Sequence, residues 1–481
     1  MRLLPIVQIL GFILVLLSFL MTLPVNLLMF GAHADWPAFV KAASITLAIG
    51  IVCLLCTGRQ RHALRPRQMF ILTVSAWVVT PLFSSLPLLF SDLNLSVTDA
   101  FFESISGVTT TGSTVLTGLD SMPADILLWR SVMQWVGGIG IIGMAVAVLP
   151  FLRVGGMRLF ATESSEWTEK AVPRTNLLAR GLLFSYLMLT MACIVVYWCL
   201  GMDLFNAVNH AMTTVSTGGY STSDSSMGQF SGSPILLAST VFMATGALPF
   251  FLYVRLLNGQ VQPLLRDRQI RFFVGFLLAS AVAITSYRVA VDGYMPSEAF
   301  VHALFNVTSV VTTTGYASED YSLWGPFAAM IFFFLTFVGG CSGSTSGGLK
   351  IFRFQLSMLL VKEQVLRLLH PRVVFSREYN GRLISDEIVA SAVAFTFLFL
   401  ATFAVVAGAL ALLGQDLLTS LTGAATALAN VGPGVGEVIG PAGNFRPLPD
   451  AAKWVLMVAM ILGRLELLSV LVMFSPAFWR D

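Results

Sequence analysis

The chain reads as an all-α polytopic membrane protein. Four fused repeats of span, pore helix and span surround a central pore, preceded by an N-terminal two-helix hairpin. Three observations predict this. Of 481 residues, 56% are hydrophobic and 11% charged, and mean hydropathy is +0.82; a soluble protein carries about 25% charged residues. The hydrophilic pieces between apolar runs alternate between basic and acidic. One short polar phrase recurs four times: VTTTGSTV (108–115), TVSTGGYST (214–222), VTTTGYAS (311–318) and, faintly, ANVGPGVG (429–436).

Apolar runs lie near 5–30, 36–57, 69–91, 126–152, 181–201, 233–257, 272–291, 325–360, 388–413 and 451–475, which predicts ten spans. The first is too long for a secretory signal and lacks a small-residue cleavage site, so it reads as a retained helix. Cys53 and Cys56 have CxxC spacing inside the second run with no second pair, which argues against metal or redox use. The basic pieces are 58–67, 153–180, 255–271 and 350–382. With the N-terminus in the cytoplasm, 22 of the 28 Lys and Arg fall inside and five outside, leaving Arg464 within the last span. That asymmetry predicts both termini inside.

The four phrases carry glycines at 112, 218, 315 and 432, at spacings of 106, 97 and 117. A recurring period marks repeated structural units. Each phrase follows a full span and then about a dozen residues, too short and too polar to cross about 30 Å of hydrocarbon. The predicted units are a hairpin (1–68) and four pore repeats: 69–180, 181–271, 272–382 and 383–481. All four phrases lie on the outer side. Irregular backbone at membrane depth must be buried or line a water-filled path. Short helices entering from outside turn their C-terminal partial negative charge inward, which favours a cation. Loop carbonyls can replace a cation's hydration shell, and glycine leaves the path clear. These physics imply a monovalent cation without choosing between K⁺ and Na⁺. Acidic outer residues such as Asp120, Asp224 and Glu437 concentrate cations at such a mouth. Glu103, inside the first short helix, is expected to hydrogen-bond to the filter scaffold.

Two features lie below the phrases. GGCSGSTSGG (339–348) interrupts the 325–360 run, and five of its ten residues are glycine. No helix of that composition is stable, so the span should break there at membrane depth. Arg464, fourteen residues into the last span, costs at least about 2.5 kcal/mol to bury and reads as a functional residue facing the interior. Glu466, two positions on, points to another side of a helix and is a poor partner for it. GGIGIIG (137–143) matches a dinucleotide fingerprint, but it sits within an apolar run, so its glycines read as helix-packing points. No Walker motif is present and the five histidines are scattered, which argues against an enzyme.

With its four fused repeats and the phrases TTTGS, STGGY, TTTGY and NVGPG, the chain resembles the Trk/Ktr/HKT superfamily of potassium and sodium transporters over about residues 69–475. The hairpin and YNGRLISDEIVAS (379–391) are similar to the bacterial TrkH-type subgroup. The resemblance implies a potassium-binding filter of backbone carbonyls. It assigns Thr110, Thr111 and Gly112; Ser216, Thr217 and Gly218; Thr313, Thr314 and Gly315; and Asn430, Val431 and Gly432. The fourth phrase departs most, with Val431 and Pro433. In plant members a serine in place of the first glycine goes with sodium preference; here all four glycines are present, which implies potassium. The resemblance also implies a gate formed by the intramembrane loop (Gly339, Gly340, Gly343, Ser344, Gly347, Gly348) and Arg464. It implies a homodimer in the lipid of the bacterial inner membrane, regulated by a separate cytoplasmic nucleotide-binding RCK ring of the TrkA type. K⁺ is the transported ion, and no resident cofactor, other metal or nucleic acid is expected. Two mechanisms remain open: a gated pore, and an ion-coupled secondary carrier such as a K⁺/H⁺ or Na⁺/K⁺ symporter.

Overall fold

The computed structural model describes residues 3–26, 35–58, 64–147, 173–230, 232–373 and 375–480. Most of the basic loop at 153–180, up to residue 172, lies outside the described residues. The architecture is helical, and among the described residues the only sheet is a two-stranded hairpin pairing Glu378–Tyr379 with Arg382–Leu383.

Helices α1 (Leu4–Met21) and α2 (Trp36–Thr57) form the N-terminal hairpin. They touch at two glycines. A methyl on Gly11 would lie 3.1 Å from the Gly50 carbonyl oxygen, and one on Gly50 would lie 3.1 Å from that of Gly11. The first repeat comprises α3 (Pro66–Ser84), the short α4 (Val97–Val108) and α5 (Ala124–Ala147). The second comprises α6 (Pro173–Cys199), the short α7 (Leu204–Val215), α8 (Ser233–Gly246) and α9 (Phe250–Leu257). The third comprises α10 (Arg268–Asp292), the short α11 (Pro296–Val311), α12 (Pro326–Leu335) and α13 (Ile351–Leu369). The fourth comprises α14 (Asp386–Leu412), the short α15 (Leu417–Ala429), α16 (Asp450–Arg464) and α17 (Leu468–Phe474).

Each short helix has a start signal. Ser96, Asp203 and Asp416 accept hydrogen bonds from backbone N–H groups three residues on, each at 3.0 Å, and α11 begins at Pro296. Both devices satisfy or remove first-turn donors that have no helical partner. At 12, 12, 16 and 13 residues, these helices span only part of a bilayer.

Among the described residues, seven helices are long and apolar enough to cross a membrane, or nine if each of two bent pairs is one span. The tenth predicted span is the interrupted one: α12 ends at Leu335 and the glycine-rich segment follows. Two further breaks were not predicted. α8 and α9 meet at 94°, where Pro249 lacks an N–H and disfavours helix in the residue before it. α16 and α17 meet at 107° without glycine or proline; Glu466 and Leu467 take φ of +54° and +31° instead.

Burial is inverted relative to a soluble protein. Phe12, Leu16, Phe397 and Val405 face outward, while Thr110, Thr111, Thr217, Thr313, Thr314 and Asn430 of the four phrases are buried. Helix α5 is the most buried of the seven straight spans among the described residues: 67% of its apolar window within Ala124–Met144 is buried, against 22% for Asp386–Leu412. Its glycines explain part of this. A methyl on Gly137 would lie 2.0 Å from the Val108 carbonyl oxygen, and one on Gly138 would lie 2.5 Å from the Tyr186 hydroxyl. Gly140 and Gly143 have no such close neighbour, so the packing role expected of GGIGIIG belongs to its first two glycines.

Candidate functional site

The four short helices end at equivalent strained turns. Thr110, Thr217, Thr313 and Asn430 take left-handed φ of 52°, 52°, 59° and 57°. Threonine, being β-branched, rarely adopts that region, and strain of this kind persists only where surrounding structure imposes it. Two residues on, Gly112, Gly219, Gly315 and Gly432 also have positive φ. This fixes the register. In the second repeat the counterparts of Thr110, Thr111 and Gly112 are Thr217, Gly218 and Gly219, one residue later than the Ser216, Thr217 and Gly218 assigned from sequence. Ser216 stays in the helical turn at the end of α7. With two adjacent glycines in STGGY, sequence spacing could not choose between them.

The glycines close a ring in chain order. A methyl on Gly112 would lie 2.3 Å from the Gly218 carbonyl oxygen, on Gly219 1.8 Å from that of Thr314, on Gly315 1.9 Å from that of Val431, and on Gly432 2.8 Å from that of Thr111. Each repeat abuts the carbonyl of the next, and the fourth returns to the first. Only glycine fits here, because these separations are well inside van der Waals contact. A cavity of about 320 Å³ opens over the ring, lined from all four phrases by Gly112, Ser113, Gly219, Gly315 and Pro433. The ring residues directly follow the C-termini of the short helices, so four partial negative charges converge on it. Carbonyls and helix ends together are the chemistry of a dehydrated cation.

Side chains behind the ring hold it from several sides. Glu103 and Arg130 form a buried ion pair at 2.8 Å. Glu103 also accepts from the Thr114 hydroxyl and the Val115 N–H at 3.0 Å. Arg130 donates to the Ser221 carbonyl at 2.9 Å and lies 4.1 Å over the Tyr220 ring. Glu103 thus contacts the scaffold as expected. Arg130, counted from sequence as an outer charge, is its buried partner. Arg130 and Gln134, both polar, sit four apart in an otherwise apolar span, and that spacing was the available signal. In the fourth repeat Asn430 donates from Nδ2 to the Thr111 hydroxyl and to the Met460 carbonyl, both at 2.9 Å.

The glycine-rich segment lies against the underside of the ring. Gly347 N–H donates to the Thr313 hydroxyl at 2.7 Å, and the Thr345 and Thr217 hydroxyls are 3.2 Å apart. A methyl on Gly347 would lie 2.2 Å from the Ala429 carbonyl oxygen. The segment therefore touches three repeats at the position just below the carbonyls. It is anchored on the break in the second repeat: Cys341 N–H donates to Ala247 O at 2.9 Å, and Thr345 Oγ1 donates to Gly246 O at 2.9 Å. Gly339 and Gly340 sit at its start, where methyls would meet the Gly347 carbonyl oxygen at 2.1 Å and the Ser346 hydroxyl at 2.6 Å. The Gly343 carbonyl accepts from Phe250 N–H at 3.0 Å. The Ser344 and Ser346 hydroxyls are 2.9 Å apart. Gly348 has φ of +65° beside the return to Leu349. A cavity of about 30 Å³ lies between the segment and Lys350, Arg353 and Arg464.

Arg464 is 2% exposed and donates from Nη1 to the Thr345 carbonyl at 2.9 Å. Its Nε and Nη2 have no hydrogen-bond partner, and among the described residues no carboxylate pairs with it. Glu466 instead binds Arg353 at 2.7 Å, tying α13 to the break between α16 and α17. Lys350 is also buried, donating to the Ser346 carbonyl and hydroxyl. Lys350 and Arg353, grouped by sequence with the cytoplasmic basic segment, belong to this interior cluster.

A helical membrane protein whose four pore loops close a carbonyl ring is, by class, a cation-translocating membrane protein. The profile of the TrkH family, described as cation transport protein, matches residues 36–480. The chain is 49% identical over 478 residues to the Trk system potassium uptake protein TrkI of Halomonas elongata, covering 99% of this chain and 97% of that one. It is 35% identical over 481 residues to the Trk system potassium uptake protein TrkH of Escherichia coli, covering 99% of each. Its fold is similar to the crystal structure of the potassium transporter TrkH from Vibrio parahaemolyticus, with a TM-score of 0.93, 35% identity and full coverage of both chains. The chain belongs to the TrkH family of cation transport proteins.

Proposed function

We propose that this chain takes up potassium, with the carbonyls of residues 111, 218, 314 and 431 as its filter. The observation that carries the reading is the closed circuit of glycine-to-carbonyl contacts through all four repeats. Four helix C-termini and uncharged carbonyls suit a large monovalent cation, which sheds its hydration shell more readily than a divalent one. Relatives named as potassium uptake proteins support K⁺ over Na⁺, as does a glycine in every phrase.

The gate in this reading is the segment Gly339–Gly348 together with Arg464. It occupies two hydroxyls under the filter, those of Thr217 and Thr313, while the buried Thr110 hydroxyl has no partner. Arg464 sets a fixed positive charge against the segment. The charge asymmetry of the loops supports phrases on the outer side and both termini in the cytoplasm, and the membrane proposed is the bacterial inner membrane. Helix α13 exposes Met358, Val361, Val365 and Leu368 on one stripe, which supports a homodimer. The Trk system naming of the relatives supports a further component, and a cytoplasmic nucleotide-binding ring is the partner proposed.

The test is ⁸⁶Rb⁺ uptake by the purified chain in potassium-loaded vesicles, with Na⁺ and K⁺ as competitors. Uptake blocked by K⁺ and not by equal Na⁺ is expected. Absence of uptake, or equal block by both ions, overturns the reading. Obligatory proton movement would assign the symport mechanism.

A further inference from the structure

The second phrase is the only one of the four with two adjacent glycines. Gly219 is the ring glycine, with φ of +76°. Gly218 stands where the other repeats carry Thr111, Thr314 and Val431, and its backbone is not left-handed. Backbone freedom therefore does not explain it. Occupied space does: a methyl on Gly218 would lie 2.4 Å from Cδ and 2.5 Å from Oε1 of Gln134.

Gln134 comes from α5 and is fully buried. Its Nε2 donates to the Gly218 carbonyl at 2.6 Å, and its Oε1 accepts from Tyr220 N–H at 2.9 Å. One amide thus brackets the ring glycine from both sides. In the first and third repeats the threonine at this position bonds within its own phrase, Thr111 to Thr109 at 2.7 Å and Thr314 to Thr312 at 2.8 Å. In the second repeat a side chain from another helix fills that space. It also does something the threonines do not, because it donates to a ring carbonyl. Among the described residues, the carbonyls of Thr111, Thr314 and Val431 accept no hydrogen bond.

We infer that Gln134 is a specificity-determining positioning residue: it fixes the second-repeat carbonyl of the filter and weakens its pull on the ion. The inference rests on the potassium reading above. An N–H on the oxygen competes with the cation for the same electron density. It also stops the carbonyl swinging inward to close around a smaller ion. Filter selectivity depends on the number and field strength of the carbonyl dipoles. A weaker, fixed ligand disfavours Na⁺, which needs stronger and closer ligands to offset its larger dehydration cost.

The test compares wild type, Gln134→Leu and the swap Gln134→Ala/Gly218→Thr in ⁸⁶Rb⁺ uptake by vesicles, titrated with Na⁺ and with K⁺. Leucine keeps the bulk and removes the donor. In both variants Na⁺ should inhibit at concentrations about three- to tenfold lower than in wild type, the scale of one net hydrogen bond, with K⁺ inhibition shifted less. The swap builds the threonine of the other repeats into the vacated space, so it should yield folded protein even if Gln134→Leu does not. An unchanged Na⁺-to-K⁺ inhibition ratio, with only the maximal rate reduced, marks a merely structural role and overturns the inference. So does a swap variant that fails to accumulate as folded protein. Wild-type vesicles that take up no Rb⁺ would overturn the potassium reading itself, a result separate from either of these.

Discussion

Replacing Arg464 with alanine should raise cation flux. The guanidinium reaches the proposed filter through two hydrogen bonds: Nη1 donates to the Thr345 carbonyl at 2.9 Å, and the Thr345 hydroxyl accepts from that of Thr217 at 3.2 Å. Thr217 directly precedes Gly218. Placing the charge roughly 10 Å from an ion in the ring, with an effective dielectric of about 20, gives a repulsion of about 1.7 kcal/mol. Removing it should raise ⁸⁶Rb⁺ flux by up to about 18-fold. Arg464→Lys keeps the charge and should stay close to wild type, which separates electrostatics from lost packing. Stability supplies a second check. Nε and Nη2 are buried without partners, so a methionine at 464 removes an unpaired buried charge and should not lower the melting temperature. Equal flux in the alanine and lysine variants, or flux at or below wild type in Arg464→Ala with normal amounts of folded protein, would refute the barrier.

Alanine at the ring glycines should damage uptake in the order of the available space. Gly219→Ala and Gly315→Ala, with methyls 1.8 and 1.9 Å from a carbonyl oxygen, should abolish it, while Gly432→Ala at 2.8 Å should retain a measurable rate. Equal loss at all three would count against a close-packed ring. Arg130→Met strands the buried Glu103 carboxylate and should cost about 3–5 kcal/mol, with Glu103→Met/Arg130→Met recovering most of it; thermal unfolding in detergent reads both. Near the strand hairpin, Arg377 beside Glu363 holds the carboxyl below its usual range. A depressed pKa stabilises the folded form above the unfolded value of about 4.5, and that contribution disappears as pH falls through the folded value. Protection of the Glu378–Leu383 amides, corrected for the intrinsic pH dependence of exchange, should therefore be unchanged from pH 7 to about 5 and fall only below the carboxylate range.

The repeats were legible because the same phrase, preceded by the same short helix, was written four times. What each phrase does locally was less so. In STGGY the pattern of a threonine before a glycine fits two registers, and only the left-handed turn at Thr217 selects Gly219. The interrupted span at 339–348 declared itself by glycine content. The bend at Pro249 had a readable cause that an apolar run concealed. The bend at Glu466 and Leu467 had none, because those residues are ordinary helix formers; there the turn coincides with the contact of Glu466 with Arg353. Long-range partners are where sequence reasoning stopped. Gln134 and Arg130 could be picked out as polar residues in an apolar span, but nothing in the chain order says that one meets Gly218 and the other Glu103.

Fusing four repeats into one chain separates two demands that a ring of identical subunits must meet together. In the proposed filter the backbone has to be alike in every repeat, since all four carbonyls would serve one ion. That likeness is visible in the shared turn and glycine. The support behind it is free to differ, and it does. A pair of threonine hydroxyls braces the first and third repeats, with an added ion pair in the first, an amide from α5 braces the second, and Asn430 links the fourth to the first. The gate proposed above is asymmetric in the same way. Only the third repeat carries the glycine-rich segment, and it reaches the hydroxyls of Thr217 and Thr313 but not that of Thr110, which has no partner. A closure built from one side needs to move one segment rather than four. It also needs an opposing wall, and Arg464, from the fourth repeat, meets the same segment at Thr345.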